Sequence, residues 1–312
     1  MAFVAPKETL SGKVFEVTIG TDRTAVFGGE NALPFHSFEG SVPHKPVIAY
    51  EIQDVPPADW PEEVKKVYAD VSGDPVTWAK YCQDELKAQA ICLRLVGTHP
   101  DRENRSPEEA AKTVKDVLAA VNLPLIIFGS NHMEKDSAVL VAVAEAAKDK
   151  NCVIGKAQEG NYKTIAAAAM ANNHKLVAMS ELDINLSKQL NILIGQMGFD
   201  KERLITDPMC SGLGYGLEYT YSVMERIRLA ALTQNDATMQ PPMLADVGMY
   251  VWKVKETQAT EAELPHWGSL HERGVTWEAE TAVALLMSGS ELLIMRHPEA
   301  VSVVEKFIDE LM

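Results

Sequence analysis

The stretch RLITDPMCSGLGYGLEYTY, residues 203–221, holds a strand, the end of that strand, a glycine loop and the start of a helix. Arg203 to Thr206 is a short β-prone run. Asp207-Pro208 closes it, because the residue before a proline is pushed out of helical space and proline has no N–H to give a ladder. Gly212, Gly214 and Gly216 follow in alternation. They free the backbone to take positive φ, or to come close to something flat or anionic, ahead of a helix with Tyr221, Met224 and Ile227 on one face. A loop that needs glycine only to turn and a loop that meets a ligand both fit these residues.

Outward from this stretch the same plan repeats. Short apolar runs, each followed by a longer amphipathic segment, read VIAYEI (47–52), AICLRLV (90–96), PLIIFG (124–129), CVIGKA (152–157), KLVAMS (175–180), RLITD (203–207), MLADVG (243–248) and ELLIMR (291–296). The alternation is that of βα units on a parallel sheet, and eight units close a barrel. Helix starts support the count. Ser106-Pro-Glu-Glu109 is a capping box with proline at the first helical position, and Asp74-Pro75 opens another helix in the same way. A last helix from Pro298 carries Val301, Val304, Phe307, Ile308 and Leu311 at helical spacing. Ahead of the barrel, 13–19 and 24–27 are β-prone runs around GTDR. The expected fold is α/β, a (β/α)8 TIM barrel over 46–312 with an N-terminal β-hairpin and loop appendage over 1–45. One insertion, 249–276, is longer than an ordinary βα loop and rich in Trp, Tyr and charge; it reads as a lid, a docking surface or a solvated loop.

Composition narrows the function classes. A formal charge of −15 argues against a nucleic-acid or anionic-membrane surface. Cys82, Cys92, Cys152 and Cys210 lie far apart, so no spacing encodes a zinc site or an iron-sulfur cluster, and reduced core thiols in a cytoplasmic protein are expected. The amino terminus, MAFVAPKETLSGK, lacks the apolar region of a signal peptide, and no run approaches a membrane span.

In such barrels the site lies at the carboxyl ends of the strands. The residues there are Asp54, Thr98, His99, Ser130 to His132, Gln158 to Asn161, Ser180 to Asp183, Asp207 with the glycine loop, Asp246 and His297. His99, His132 and His297 stand without metal-ligand spacing, and no GxSxG is present, so neither a metal nor a serine nucleophile is expected. Asp54, Asn131, Asp207 and Asp246 are candidates for hydrogen bonds to the amide and amino edge of a pterin, although carboxylates at strand ends also cap loops. His271-Glu-Arg-Gly274 matches the HxxG core of the motif in which histidine replaces the lower axial base of cobalamin, but Ser269 stands where that motif has aspartate, and 38 residues are too few for the domain that should follow.

Several strings resemble the small subunit of the corrinoid iron-sulfur protein, equivalently the delta subunit of the acetyl-CoA decarbonylase/synthase complex. They are IGTDRTAVFGGENALPFHSFEG (19–40), GKAQEGNYKTIAAAAMANNH (155–174), ITDPMCSGLGYGLEYTYSVMERIR (205–228), LPHWGSLHERGVTWEAETA (264–282) and MRHPEAV (295–301). The resemblance implies a heterodimer with a large subunit that carries a [4Fe-4S] cluster and a cobalamin domain, the corrinoid lying between the two chains. It further implies that cobalt accepts a methyl group from methyltetrahydrofolate through a separate methyltransferase and passes it to acetyl-CoA synthase/CO dehydrogenase. This chain would be non-catalytic by itself. A macrocycle needs close backbone approach and a few amide-directed hydrogen bonds, which Gly212, Gly214 and Gly216 with Ser211, Asn131 and Gln158 can supply, with Asp207 and Asp246 beside them. The alternative is an independent pterin-dependent methyltransferase on the same barrel.

Overall fold

A computed structural model describes residues 6–312, and the reading of Met1 to Ala5 as part of a terminus without a signal segment lies outside the described residues. β1 (Val17–Ile19) and β2 (Ala25–Phe27) pair antiparallel, with Val17 opposite Phe27. Eight parallel strands follow: β3 (Val47–Gln53), β4 (Ala90–Arg94), β5 (Leu125–Phe128), β6 (Val153–Ala157), β7 (Lys175–Met179), β8 (Leu204–Asp207), β9 (Met243–Ala245) and β10 (Ser290–Met295). They close into a barrel in chain order, with β10 beside β3. Every apolar run expected to be a strand is one.

The helices are α1 (Glu62–Lys65), α2 (Pro75–Asp84), α3 (Pro107–Ala120), α4 (Met133–Ala146), α5 (Tyr162–Ala171), α6 (Ile184–Gln196), α7 (Leu217–Thr233), α8 (Val247–Val251), α9 (Leu270–Met287) and α10 (Pro298–Leu311). Their starts follow the capping chemistry. Ser106 and Glu109 exchange both bonds of the capping box, and Asp74 accepts from the Thr77 amide at 2.8 Å. The insertion is shorter than the sequence implies. β9 stops at Ala245, α8 takes up the next residues, and α9 begins at Leu270 rather than after Thr276, leaving Trp252 to Ser269 as the connection.

Period-two alternation sorts the strand side chains into two cores. Ile48, Tyr50, Ile52, Ile91, Leu93 and Leu125 face the helices. Val47, Ala49, Ala90, Cys92, Ile126, Phe128, Val153, Val177, Ile205, Leu244, Leu292 and Ile294 fill the lumen, and Val17, Ile19 and Phe27 of the hairpin join them from the amino-terminal end. All four cysteines are buried free thiols. Among the described residues no helix is long and apolar enough to cross a membrane.

Candidate functional site

At the carboxyl end of the lumen the apolar filling gives way to charge. On β3 the inward sequence Val47, Ala49 continues with Glu51 and Gln53. On β4, Cys92 is followed by Arg94; β8 ends on Asp207, and Asp246 and Arg296 follow directly after β9 and β10. Lys156 joins them because the β6–β7 pairing shifts register between Ile154 and Ala157, turning both Gly155 and Lys156 inward. A Cβ at Gly155 would stand 2.8 Å from Val177 and 3.2 Å from the Phe128 ring, so the shift needs a glycine there.

The six charges form one connected set. Arg296 grips Glu51 with two bonds of 3.1 and 3.0 Å, and Arg94 reaches the same carboxylate through Nε at 3.1 Å. Nη2 of Arg94 turns to Asp246 at 2.9 and 2.8 Å. Lys156 Nζ lies 2.7 Å from Asp246 and 2.8 Å from Asp207. Phe128 supplies a ring beneath two of the cations, 5.4 Å from Arg94 and 5.1 Å from Lys156, while Arg296 lies 4.4 Å above the ring of Trp60. Three carboxylates thus balance three cations, all at least nine-tenths buried.

Titration directions agree with that pairing. Burial alone would raise Glu51, yet Arg296 and Arg94 outweigh it and hold the carboxyl below its ordinary range. Asp246 behaves likewise, with Arg94 and Lys156 overcoming its burial. Burial disfavours charge on Arg94 and Lys156 as well, but the facing carboxylates reverse that and push both well above their usual values. Glu51, Asp246, Arg94 and Lys156 are therefore held charged near neutrality.

The loops around this set are clamped by other carboxyls that lean the opposite way. Asp54 accepts from the Gly97 amide at 2.9 Å, and burial pushes it up to about 6. Asp136 accepts from the Ser130 amide at 2.8 Å and is raised by burial. Glu278 accepts from the amides of Arg296 at 2.7 Å and His297 at 3.0 Å, and burial pushes it up to about 7. His271, His297 and Glu299 approach one another closely enough to suggest a metal centre, with their ligand atoms within 4.8 Å. However, the Glu299 amide donates to His297 Nδ1 at 3.2 Å, so the neutral ring carries its proton on Nε2 and presents a donor there, not a lone pair. Burial pushes His297 down to about 4 and so keeps it neutral. Both His271 ring nitrogens are also occupied: Nδ1 lies 3.2 Å from Glu63 and Nε2 lies 3.0 Å from Glu299. Gly274 has a packing reason of its own, since a Cβ there would stand 2.5 Å from the Trp252 ring.

The residues singled out from the sequence fall into three places. Asp207 and Asp246 come together in the lumen, joined by Lys156. Asn131 sits across the mouth with φ +67°, on the edge of a pocket of about 260 Å³ that also meets Gln53, Arg94, His99, Met249 and Arg296. Gln158 is half-buried after β6, its backbone N–H donating to Asn161 Oδ1 at 2.8 Å. Ser211, Gly212, Gly214 and Gly216 form the β8–α7 connection on the rim. Gly214 and Gly216 have φ of +76° and +96°, whereas Gly212 needs no such freedom and is buried against Val254. Exposed here are the aromatic side chains of Tyr215, Tyr219 and Trp267 together with Glu218, and Trp267 lies 5.6 Å from Trp277. Asp54 caps a loop and does not face the lumen set. Glu51, Gln53, Arg94, Lys156, Arg296 and Glu278 were not singled out; for four of them a charge or amide at the last inward position of an apolar run was the available signal.

Residues 16–306 match the family of the CO dehydrogenase/acetyl-CoA synthase delta subunit. The acetyl-CoA decarbonylase/synthase complex subunit delta of Methanothermobacter thermautotrophicus is 34% identical over 307 residues, covering 97% of this chain and 77% of the relative. That of Methanopyrus kandleri is 35% identical over 302 residues, covering 94% and 74%. Among solved structures, dihydropteroate synthase of Xanthomonas albilineans in complex with 7,8-dihydropteroate overlaps with a TM-score of 0.56 at 14% identity, covering 85% of this chain and 94% of that one. The Coxiella burnetii enzyme with pteroic acid gives 0.56 at 11%, covering 90% and 97%. These two likenesses are of fold. The sequence match is of family: the chain belongs to the delta subunits of the CO dehydrogenase/acetyl-CoA synthase complex.

Proposed function

We propose that this chain is the small subunit of a corrinoid methyl carrier: it covers a corrinoid held by a large-subunit partner, which also carries a [4Fe-4S] cluster. When bound, the corrinoid supplies the cobalt that receives a methyl group from methyltetrahydrofolate, by way of a methyltransferase, and yields it to acetyl-CoA synthase/CO dehydrogenase. The observation that carries this reading is the self-paired set of Glu51, Arg94, Lys156, Asp207, Asp246 and Arg296. A pterin amide and amino edge asks for a carboxylate that can accept two N–H bonds. Here Asp207 and Asp246 already share Lys156, and drawing either away would leave that buried cation with one carboxylate instead of two. In this chain the carboxyl end of the lumen holds its own paired side chains. What it offers outward is a broad polar mouth with a rim loop bare of side chains at Gly214 and Gly216, where a Cβ would come only into ordinary contact with Trp277, Tyr219 and Ser211.

The chain's part is to position and to shield. Asn131, Ser211 and Gln158 offer hydrogen bonds around the mouth, and Tyr215, Tyr219 and Trp267 offer an aromatic edge for the partner. Co-expression with the large subunit tests the reading. A heterodimer that keeps its corrinoid is expected. Gly214→Asn, which tolerates positive φ but adds bulk, should leave the heterodimer folded and release the corrinoid. A Gly214→Asn heterodimer that keeps corrinoid and accepts methyl at the unmodified rate would reduce the loop to a turn.

A further inference from the structure

Gln53 and Arg94 are paired neighbours on β3 and β4, side by side at the floor of the mouth pocket of about 260 Å³. Each is 3% exposed, and each keeps one polar atom without a hydrogen-bond partner among the described residues, Oε1 of Gln53 and Nη1 of Arg94. Native interiors seldom leave such atoms unpaired, and two on adjacent strands beneath one pocket point to an occupant. The orientation of the amide is fixed by its neighbour. Gln53 Nε2 faces Glu51 Oε1 at 3.5 Å, and exchanging nitrogen and oxygen would set two acceptors against each other. The charge of Arg94 is already answered by Glu51 and Asp246, so its spare Nη1 offers a donor rather than an unbalanced cation.

A buried acceptor and a buried donor on residues paired across two strands complement a primary carboxamide, whose NH2 donates to one and whose carbonyl accepts from the other. A carboxylate matches Nη1 but meets Gln53 Oε1 oxygen to oxygen. We propose that the pocket between β3 and β4 is a carboxamide-binding subsite, and that it takes one amide arm of the corrinoid periphery. The second half rests on the covering function proposed above; the first does not. Asn131, Ser130 and His99 line the walls above Gln53 and Arg94.

The full-length chain is titrated with propionamide, propionate and propanol while side-chain NMR signals of Arg94 and Gln53 are followed. Saturable shifts with propionamide are expected, at least tenfold weaker binding of the other two, and loss of the propionamide response in Gln53→Leu, a variant that removes an unpaired buried acceptor. Equal binding of propionate and propionamide, or no shift with either, overturns the subsite. In the heterodimer, Gln53→Leu should lower corrinoid retention about tenfold without changing assembly by sizing; unchanged retention overturns the corrinoid arm. If the unmodified heterodimer holds no corrinoid while propionamide still shifts Arg94 and Gln53, the covering function falls and the subsite stands, with an asparagine or glutamine of the partner as its occupant.

Discussion

The two ends of the barrel lumen are closed by opposite chemistries. At the amino-terminal end Val17, Ile19 and Phe27 of the hairpin plug the barrel with apolar surface, needing only volume and fit. At the carboxyl end six buried charges close it by mutual neutralisation, in which each group depends on the others keeping their state. An apolar plug degrades gradually as methylenes are removed. A balanced ionic set fails abruptly when one member is lost.

The largest expected effect breaks that balance. Lys156→Met removes the cation between Asp207 and Asp246, and should cost about 3–5 kcal/mol in urea unfolding. A loss below about 1 kcal/mol would show that the set is not held by its charges. The next effect is one of pH. Glu278 is raised from 4.5 to about 7 by burial, so between those values the folded chain binds more protons than the unfolded one, and stability falls as pH rises through that window. The shift corresponds to roughly 3 kcal/mol. Glu51 and Asp246 are depressed, so their contribution is complete above the ordinary carboxylate range and is lost only as pH falls below it. Glu278→Gln should therefore flatten the decline between pH 4.5 and 7 while leaving the acid limb unchanged; an unchanged profile would remove Glu278 as its source.

At the apolar end the expected change is smaller. Ile19→Val should cost about 1 kcal/mol without altering pH dependence, since it removes one methylene from a packed site. The smallest effect on stability belongs to the rim: Tyr219→Ala, at an exposed position, should stay within about 0.5 kcal/mol by thermal unfolding yet weaken association with the large subunit. Unchanged association would place the docking surface elsewhere.

These contrasts also show what the chain discloses before it folds. Strands and helices are legible because burial imposes periods of 2 and 3.6, and helix starts carry their own caps at Asp74 and Ser106. Glu51, Arg94, Asp246 and Arg296 are legible in principle by parity, as polar residues at the last inward positions of apolar runs. Lys156 is not, because a register shift puts it out of phase. Nor are the pairings: Arg94 bonds partners 43 and 152 positions away, which no local pattern encodes. The insertion is shorter than expected mostly because Leu270 to Thr276 already belong to α9, whose cap at Ser269 was the available signal, and partly because the five-residue α8 has no side-chain cap. Asp54 shows the limit of residue type, since a carboxylate at a strand end can cap a loop as readily as bind a ligand.

The central claim is that the mouth is filled by its own ion pairs, so that the chain covers a corrinoid instead of binding a pterin. Calorimetric titration of the isolated, full-length chain with methyltetrahydrofolate tests it most directly. The account predicts no saturable binding and no methyl transfer without the large subunit. Tight stoichiometric binding, abolished by Asp246→Asn, would contradict it and establish a pterin site on this barrel.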